Sequence, residues 1–160
     1  MDYAKAVELA PPGWRHFGAD DIDRLPEAVK RHEMARVPAH ERALIEDRDT
    51  EAGERLLRAM FWTLVYHLEP ERWDELAQAE PVHPDLLRAF PSAARVALDI
   101  GAGSGRLTRH LLDRASRVVA VEPAGGLRAR LLELCPTADA VAGWAEALPL
   151  TDGCSQLTAA

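Results

Sequence analysis

Val96-Ala97-Leu98-Asp99-Ile100-Gly101-Ala102-Gly103-Ser104-Gly105 reads as an apolar strand that runs into a bare turn. Three glycines stand at alternate positions, and Leu107, Leu111, Leu112 and Ala115 then recur at helical spacing. Glycine costs stability in regular structure. It is kept where φ must be positive or where another group approaches the backbone closely. Packing alone does not ask for three of them in this pattern.

The same grammar continues downstream. A strand is expected over 95–100 and a helix over 106–115. A second buried strand over 117–122 ends in Glu122. Pro123-Ala124-Gly125-Gly126 turns into a helix through Leu127, Leu131, Leu132 and Leu134. A weaker strand follows over 138–142, then a loop over 145–150, a turn at Thr151-Asp152-Gly153 and a fourth strand from Leu157. Strands alternating with helices argue for a parallel sheet with right-handed crossovers.

Upstream, residues 1–90 read as helical throughout. A short helix over 2–10 stops at Pro11-Pro12-Gly13, and Trp14-Arg15-His16-Phe17-Gly18 forms an aromatic loop. Asp20 or Asp21 caps a helix through Ile22, Leu25 and Val29 toward Met34, with Pro26 in its first turns. Pro38 breaks the chain before a short helix over 39–46. The strongest helix spans 51–68, where Leu56, Leu57, Met60, Phe61, Leu64, Val65 and Leu68 follow the i, i+3, i+4, i+7 pattern. Pro70 opens another through Trp73, Leu76 and Ala77, and a last one covers 83–90. The change of grammar after Pro91 divides the chain into a helical region, 1–91, and an α/β region, 92–160.

The bulk numbers bound the function classes. The chain has 160 residues, of which 48% are apolar, enough for a real core. Net charge is −7, with 12 Lys/Arg against 19 Asp/Glu in residues 1–90 and 7 of each in 91–160. An acidic half argues against a nucleic-acid-binding face. Cys135 and Cys154 have no metal-ligand spacing and read as free thiols in a reducing compartment. The start Met1-Asp2-Tyr3 lacks the basic residues of a leader, and the most apolar stretch, 59–68, is too short to span a bilayer. These readings lead to the expectation of a soluble cytoplasmic protein with no membrane partner. The six histidines show no ligand spacing, so no metal is expected.

In an open parallel sheet, ligands bind outside the carboxyl ends of the strands. Three features fall there: the turn from Asp99 to Gly105, Glu122 at 17 residues beyond it, and the loop from Gly143 to Glu146. Bare glycine backbone lets a ligand lie against the chain. A helix N-terminus favours an anionic group. A carboxylate at Glu122 can accept hydrogen bonds from the vicinal hydroxyls of a ribose. Read alone, Glu122 is a solvated strand end, and only its place in this pattern promotes it. The glycine spacing departs from the G-x-G-x-x-G of dinucleotide folds, because Arg106 follows Gly105.

Asp99-Ile100-Gly101-Ala102-Gly103-Ser104-Gly105-Arg106-Leu107-Thr108 resembles motif I of class I S-adenosylmethionine-dependent methyltransferases. Val119-Ala120-Val121-Glu122-Pro123 resembles their second motif, and Gly143-Trp144-Ala145-Glu146-Ala147-Leu148-Pro149-Leu150-Thr151-Asp152-Gly153 their third. The resemblance covers residues 95–160 and implies a Rossmann-like sheet, incomplete here because the chain stops inside the fourth strand of a longer family sheet. It implies that Asp99 and the backbone of Gly101, Ala102, Gly103 and Gly105 hold the methionine end of S-adenosyl-L-methionine. Glu122, with Pro123 beside it, would take the ribose. Ala145, flanked by Trp144 and Glu146, would meet the adenine. Trp144 stands where the family often has an aspartate, and Gln156 where an aspartate commonly opens strand four.

Methyl transfer to a small-molecule acceptor follows as the leading expectation, with the helical region selecting the acceptor. An acidic helical half would suit a neutral or cationic one. The competing expectation is a non-catalytic binding module that pairs through the exposed edge of strand four, as a homodimer. A nicotinamide-dependent reductase is disfavoured by the glycine spacing and by the lack of a Tyr-x-x-x-Lys motif.

Overall fold

A computed structural model describes residues 17–160. The helix expected over 2–10, and Trp14 and His16 of the aromatic loop, lie outside the described residues. Two compact units are present: the first ends at Val65 and the second is Tyr66–Ala160.

The first unit contains helices α1 (Ala19–Asp23), α2 (Glu27–Arg36), α3 (Ala39–Glu46) and α4 (Thr50–Ala59). The single helix expected through Val29 is two. Proline has no N–H for the helical ladder, and its ring blocks the preceding turn. Pro26 therefore stands outside α2 as its N-cap, at φ −57° and ψ 142°. Pro38 plays the same part for α3. Asp49 caps α4, its carboxylate accepting the Ala52 N–H at 2.7 Å. The long helix expected over 51–68 is also interrupted: Met60 leaves helical geometry at ψ 1°, and α5 (Phe61–Leu68) begins after it. The Leu64 N–H still donates to the Met60 carbonyl at 2.9 Å. The apolar period of Leu56, Met60, Leu64 and Val65, all buried, thus runs across the break and hides it from the sequence. No helix among the described residues is long and apolar enough to cross a membrane.

The second unit holds the end of α5, α6 (Pro70–Ala79), α7 (Pro84–Ala89) and a four-stranded sheet. The strands are β1 (Ala94–Ile100), β2 (Ala115–Val121), β3 (Asp139–Val141) and β4 (Leu157–Ala159). Their order is β3-β2-β1-β4 and every pairing is parallel. Register puts Leu98 opposite Val119 and Asp99 opposite both Ala120 and Ala159. Both faces of the sheet are covered, so β1 and β2 read as continuous apolar runs rather than alternating ones. On one face Ala97, Val118 and Leu157 pack with Leu111 of α8 (Thr108–Leu112). Ala120 packs there with Leu131 of α9 (Gly125–Leu134) and with Cys135. On the other face Val96, Leu98, Val119 and Val121 meet Leu148 and Leu150 of the long loop before β4.

Helix α8 is shorter than the 106–115 expected. Residues through Leu107 belong to the turns of the glycine loop, and Ala115 already opens β2. Gln156 has a role that its position before β4 did not reveal: its side-chain oxygen accepts the N–H groups of Arg95 and Val96, each at 2.9 Å. It thereby ties the start of β4 to the start of β1. The compact division at Val65/Tyr66 groups α6 and α7 with the sheet, and α6 packs on α9.

Candidate functional site

A cavity of about 520 Å³ lies at the carboxyl ends of β1 and β2. Its floor is the turn after β1, where Gly101, Ala102, Gly103 and Ser104 present mostly backbone. Glu122 and Pro123 form the wall beyond β2, and Gly143, Trp144, Ala145 and Glu146 the wall beyond β3. Tyr66, Trp73, Leu76, Ala77 and Glu80 close the helical side. The volume is within the roughly 300–1,000 Å³ of small-molecule sites.

The alternate glycines serve different ends. Gly101 has φ +72°, and a Cβ built on it would meet nothing within 4 Å, so its backbone faces open space. Gly105 is the opposite case: a Cβ there would sit 3.1 Å from the Cys135 sulfur and 3.4 Å from Leu131. It lets α9 approach the loop and does not line the cavity. Gly143 is tighter still, with Pro149 Cδ 2.6 Å from its Cβ position. Here a small residue lets the third loop fold back on itself.

Asp99 does not line the larger cavity. It lines a second, adjoining cavity of about 270 Å³ with Leu107, His83 and Arg106, though Gly101 and Ala102 lie on both. Its carboxylate is buried, and the fully buried Thr108 hydroxyl donates to it at 2.5 Å. Burial pushes the Asp99 carboxyl up, while the Thr108 bonds hold it down. Thr108→Val keeps the shape and removes the donor. It is expected to cost about 1.5 kcal/mol in urea denaturation, the worth of a buried hydrogen bond to a carboxylate. An unchanged midpoint would show that the bond contributes nothing.

Glu122 lies just past β2 and is buried, with both carboxylate oxygens engaged. One accepts the Gly103 N–H at 3.0 Å and the other the Ala124 N–H at 2.8 Å. The side chain thus points at the glycine loop and ties it to the second strand. Burial pushes this carboxyl up; the two amide bonds and Arg128 pull it back, and Asp99 adds to the rise. Each oxygen keeps a further lone pair for a ligand hydroxyl.

Several wall residues had no part in the expected site. Trp73 comes within 3.4 Å of the Gly103 Cβ position through its indole nitrogen, and Tyr66 meets the Trp73 ring edge-on at 4.8 Å. Arg106 lines both cavities and donates to the Glu80 carbonyl at 2.9 Å. Asp74 is buried beside them. Its three-residue spacing to the buried Ala77 put it on the inner face of α6, a signal open to the sequence. His67, at the end of α5, is lowered to about 4 by burial first and by Arg128 second. A histidine with a lowered folded value stabilises the fold above its unfolded value of 6.5 and loses that contribution as pH falls toward 4. A His67→Leu variant should therefore lose less of its melting temperature than the parent between those two values. Parallel pH curves would contradict this.

Comparison with known proteins bears on this same segment. Residues 98–158 match the family model described as a methyltransferase domain. A stretch of 63 residues is 45% identical to uncharacterized methyltransferases of Mycobacterium bovis and Mycobacterium tuberculosis, covering 39% of this chain and 26% of theirs. The chain therefore spans about a quarter of the length of these curated relatives. Among solved structures, phosphoethanolamine N-methyltransferase 1 of Haemonchus contortus, in complex with phosphoethanolamine and S-adenosylhomocysteine, aligns at 24% identity and a TM-score of 0.43. The alignment covers 46% of this chain and 17% of that one. The YcgJ protein of Bacillus subtilis aligns at 20% identity and a TM-score of 0.41, covering 47% and 35%. The family likeness read from the three motifs is the one that the family model and the curated relatives report. Residues 98–158 thus match a methyltransferase-domain model, and they lie in a parallel α/β fold preceded by a helical region.

Proposed function

We propose that this methyltransferase-domain chain binds S-adenosyl-L-methionine in the larger cavity and directs its methyl group to a small-molecule acceptor. One observation carries the reading: open backbone at Gly101 and the carboxylate of Glu122 are walls of the same cavity at the carboxyl edge of a parallel sheet. That pairing of bare main chain and buried acid suits a nucleoside with an amino-acid tail.

The residues divide the work. Glu122 would accept the ribose hydroxyls on its remaining lone pairs. The Gly101–Gly103 backbone would hold the amino-acid end, with Asp99 reaching it from the adjoining cavity. Trp144 offers an aromatic face to the adenine, and Ala145 a main-chain contact. When bound, the sulfonium compound supplies an electrophilic methyl group, so the acceptor mainly needs to be held in line with it. Tyr66, Trp73 and Leu76 of α5 and α6 line one side of that approach.

Isothermal titration with S-adenosylhomocysteine tests the reading. Saturable one-to-one binding is expected, and no heat at millimolar ligand in a folded sample would overturn it. A second reading, an interaction module that pairs through β4, draws on the place of β4 at the edge of the described sheet. Light scattering separates the two: a dimer disrupted by Thr158→Pro would favour the second, and a monomer at high concentration the first.

A further inference from the structure

We propose that Asp74 is a positioning residue for the larger cavity: from α6 it holds Ser104, fixes the glycine loop and seats Trp73 against Gly103. Its affinity readout rests on the nucleoside reading above; its structural readout does not.

Asp74 is 3% exposed. Its Oδ1 accepts the Ser104 hydroxyl at 2.8 Å. Its Oδ2 accepts Arg130 Nε of α9 at 3.0 Å and the Gln78 amide at 2.9 Å. The Arg130 side chain is 33% exposed, so water screens its ion pair with Asp74 and the pair is a poor device for stability. What apolar residues cannot do is hold a hydroxyl in place. Ser104, also 3% exposed, sits between two glycines with positive φ, in a run of turns with no ladder to fix it. Glycine on both sides makes this the part of the cavity with the most backbone freedom to lose.

Two buried carboxylates remove that freedom. Glu122 holds the Gly103 N–H from the β2 side, at 3.0 Å. Asp74 holds the next residue from the α6 side. The same helix carries Trp73, whose indole nitrogen stands 3.4 Å from the Gly103 Cβ position. Loop and aromatic wall are therefore set by one anchor. A ligand meeting a loop already fixed loses less on binding than one that must order it.

The test compares the intact chain with Ser104→Ala, Asp74→Ala, the double variant, and Val118→Ala as a core control that is 0% exposed and lines neither cavity. Ser104→Ala and Asp74→Ala should each weaken S-adenosylhomocysteine binding about tenfold, and the double variant no more than the larger single, as expected for two ends of one bond. Val118→Ala should lower the melting temperature and leave affinity within about twofold. Without ligand, the Gly103 and Gly105 amides should exchange faster in both single variants while those of β2 do not. Multiplying affinity losses, an equal loss in Val118→Ala, or unchanged exchange at Gly103 would overturn the proposal. If the parent chain binds no S-adenosylhomocysteine, the nucleoside reading fails, and the exchange result alone decides the role of Asp74.

Discussion

Glu122→Gln is expected to weaken S-adenosylhomocysteine binding by about ten- to a hundredfold with little loss of stability at neutral pH. The affinity figure follows from hydrogen bonds to a charged group, worth roughly 1.5–3 kcal/mol. Stability follows a different rule. Burial raises the Glu122 carboxyl above its ordinary value of 4.5. An acid raised in the fold contributes stability below its unfolded value and loses it as pH rises through the folded one. Above that folded value the parent chain bears a buried negative charge that glutamine does not. Against this gain stands one lost acceptor, because the Gly103 and Ala124 amides share two oxygens and glutamine offers one. The two effects oppose each other, so the melting temperatures should be close at pH 7. The difference should move toward the variant as pH rises above the ordinary value of 4.5 and through the raised folded one. Isothermal titration and thermal melts across pH check both halves. A variant that binds as tightly as the parent would remove Glu122 from the site.

The neighbouring glycines of α9 should respond in opposite directions. A Cβ on Gly126 would stand 2.9 Å from the His67 carbonyl oxygen, 3.0 Å from that of Tyr66 and 3.1 Å from the Pro70 ring. Two of these atoms are backbone at the end of α5, which cannot give way as a side chain does. Gly126→Ala gains about 1 kcal/mol of helix propensity and loses about 3 kcal/mol to overpacking, a net loss of about 2 kcal/mol. On Gly125 the same Cβ would meet only the far end of Arg128, at 3.7 Å. There Gly125→Ala should stabilise by about 0.5–1 kcal/mol. Urea denaturation of the two variants decides it. Equal signs would show that α5 and α9 do not approach as closely as described.

The pair Gly125-Gly126 also shows what the sequence could and could not disclose. Both glycines were visible as a turn into a helix, and that helix is present. Which of them is packed against another backbone depends on α5, about sixty residues earlier in the chain, and local pattern carries no such information. The parallel sheet was legible because β1 and β2 are unbroken apolar runs bounded by turn residues. The Asp99–Gly105 turn, Glu122 and the Gly143–Glu146 loop were legible for a related reason: strand ends are fixed by the strands, and the glycines mark where a backbone is left bare.

The helical wall was not legible in the same way. Trp73 read as one more apolar position of an amphipathic helix. Only the fold brings it beside Gly103, with Asp74 next to it on Ser104. Gly105 erred in the other direction. It shares the spacing of Gly101 and Gly103, yet its freedom serves the approach of Cys135 and Leu131. Helix breaks at Pro26 and Met60 complete the contrast. Proline announces its break through missing chemistry, whereas Met60 breaks a helix while keeping its period.

The most direct measurement is a crystal structure of this chain grown with S-adenosylhomocysteine. Both ribose hydroxyls within about 3 Å of the Glu122 carboxylate, and the amino-acid tail along the Gly101–Gly103 backbone, are the expected result. Ligand bound elsewhere, or a Glu122 side chain turned away from the glycine loop, would contradict it.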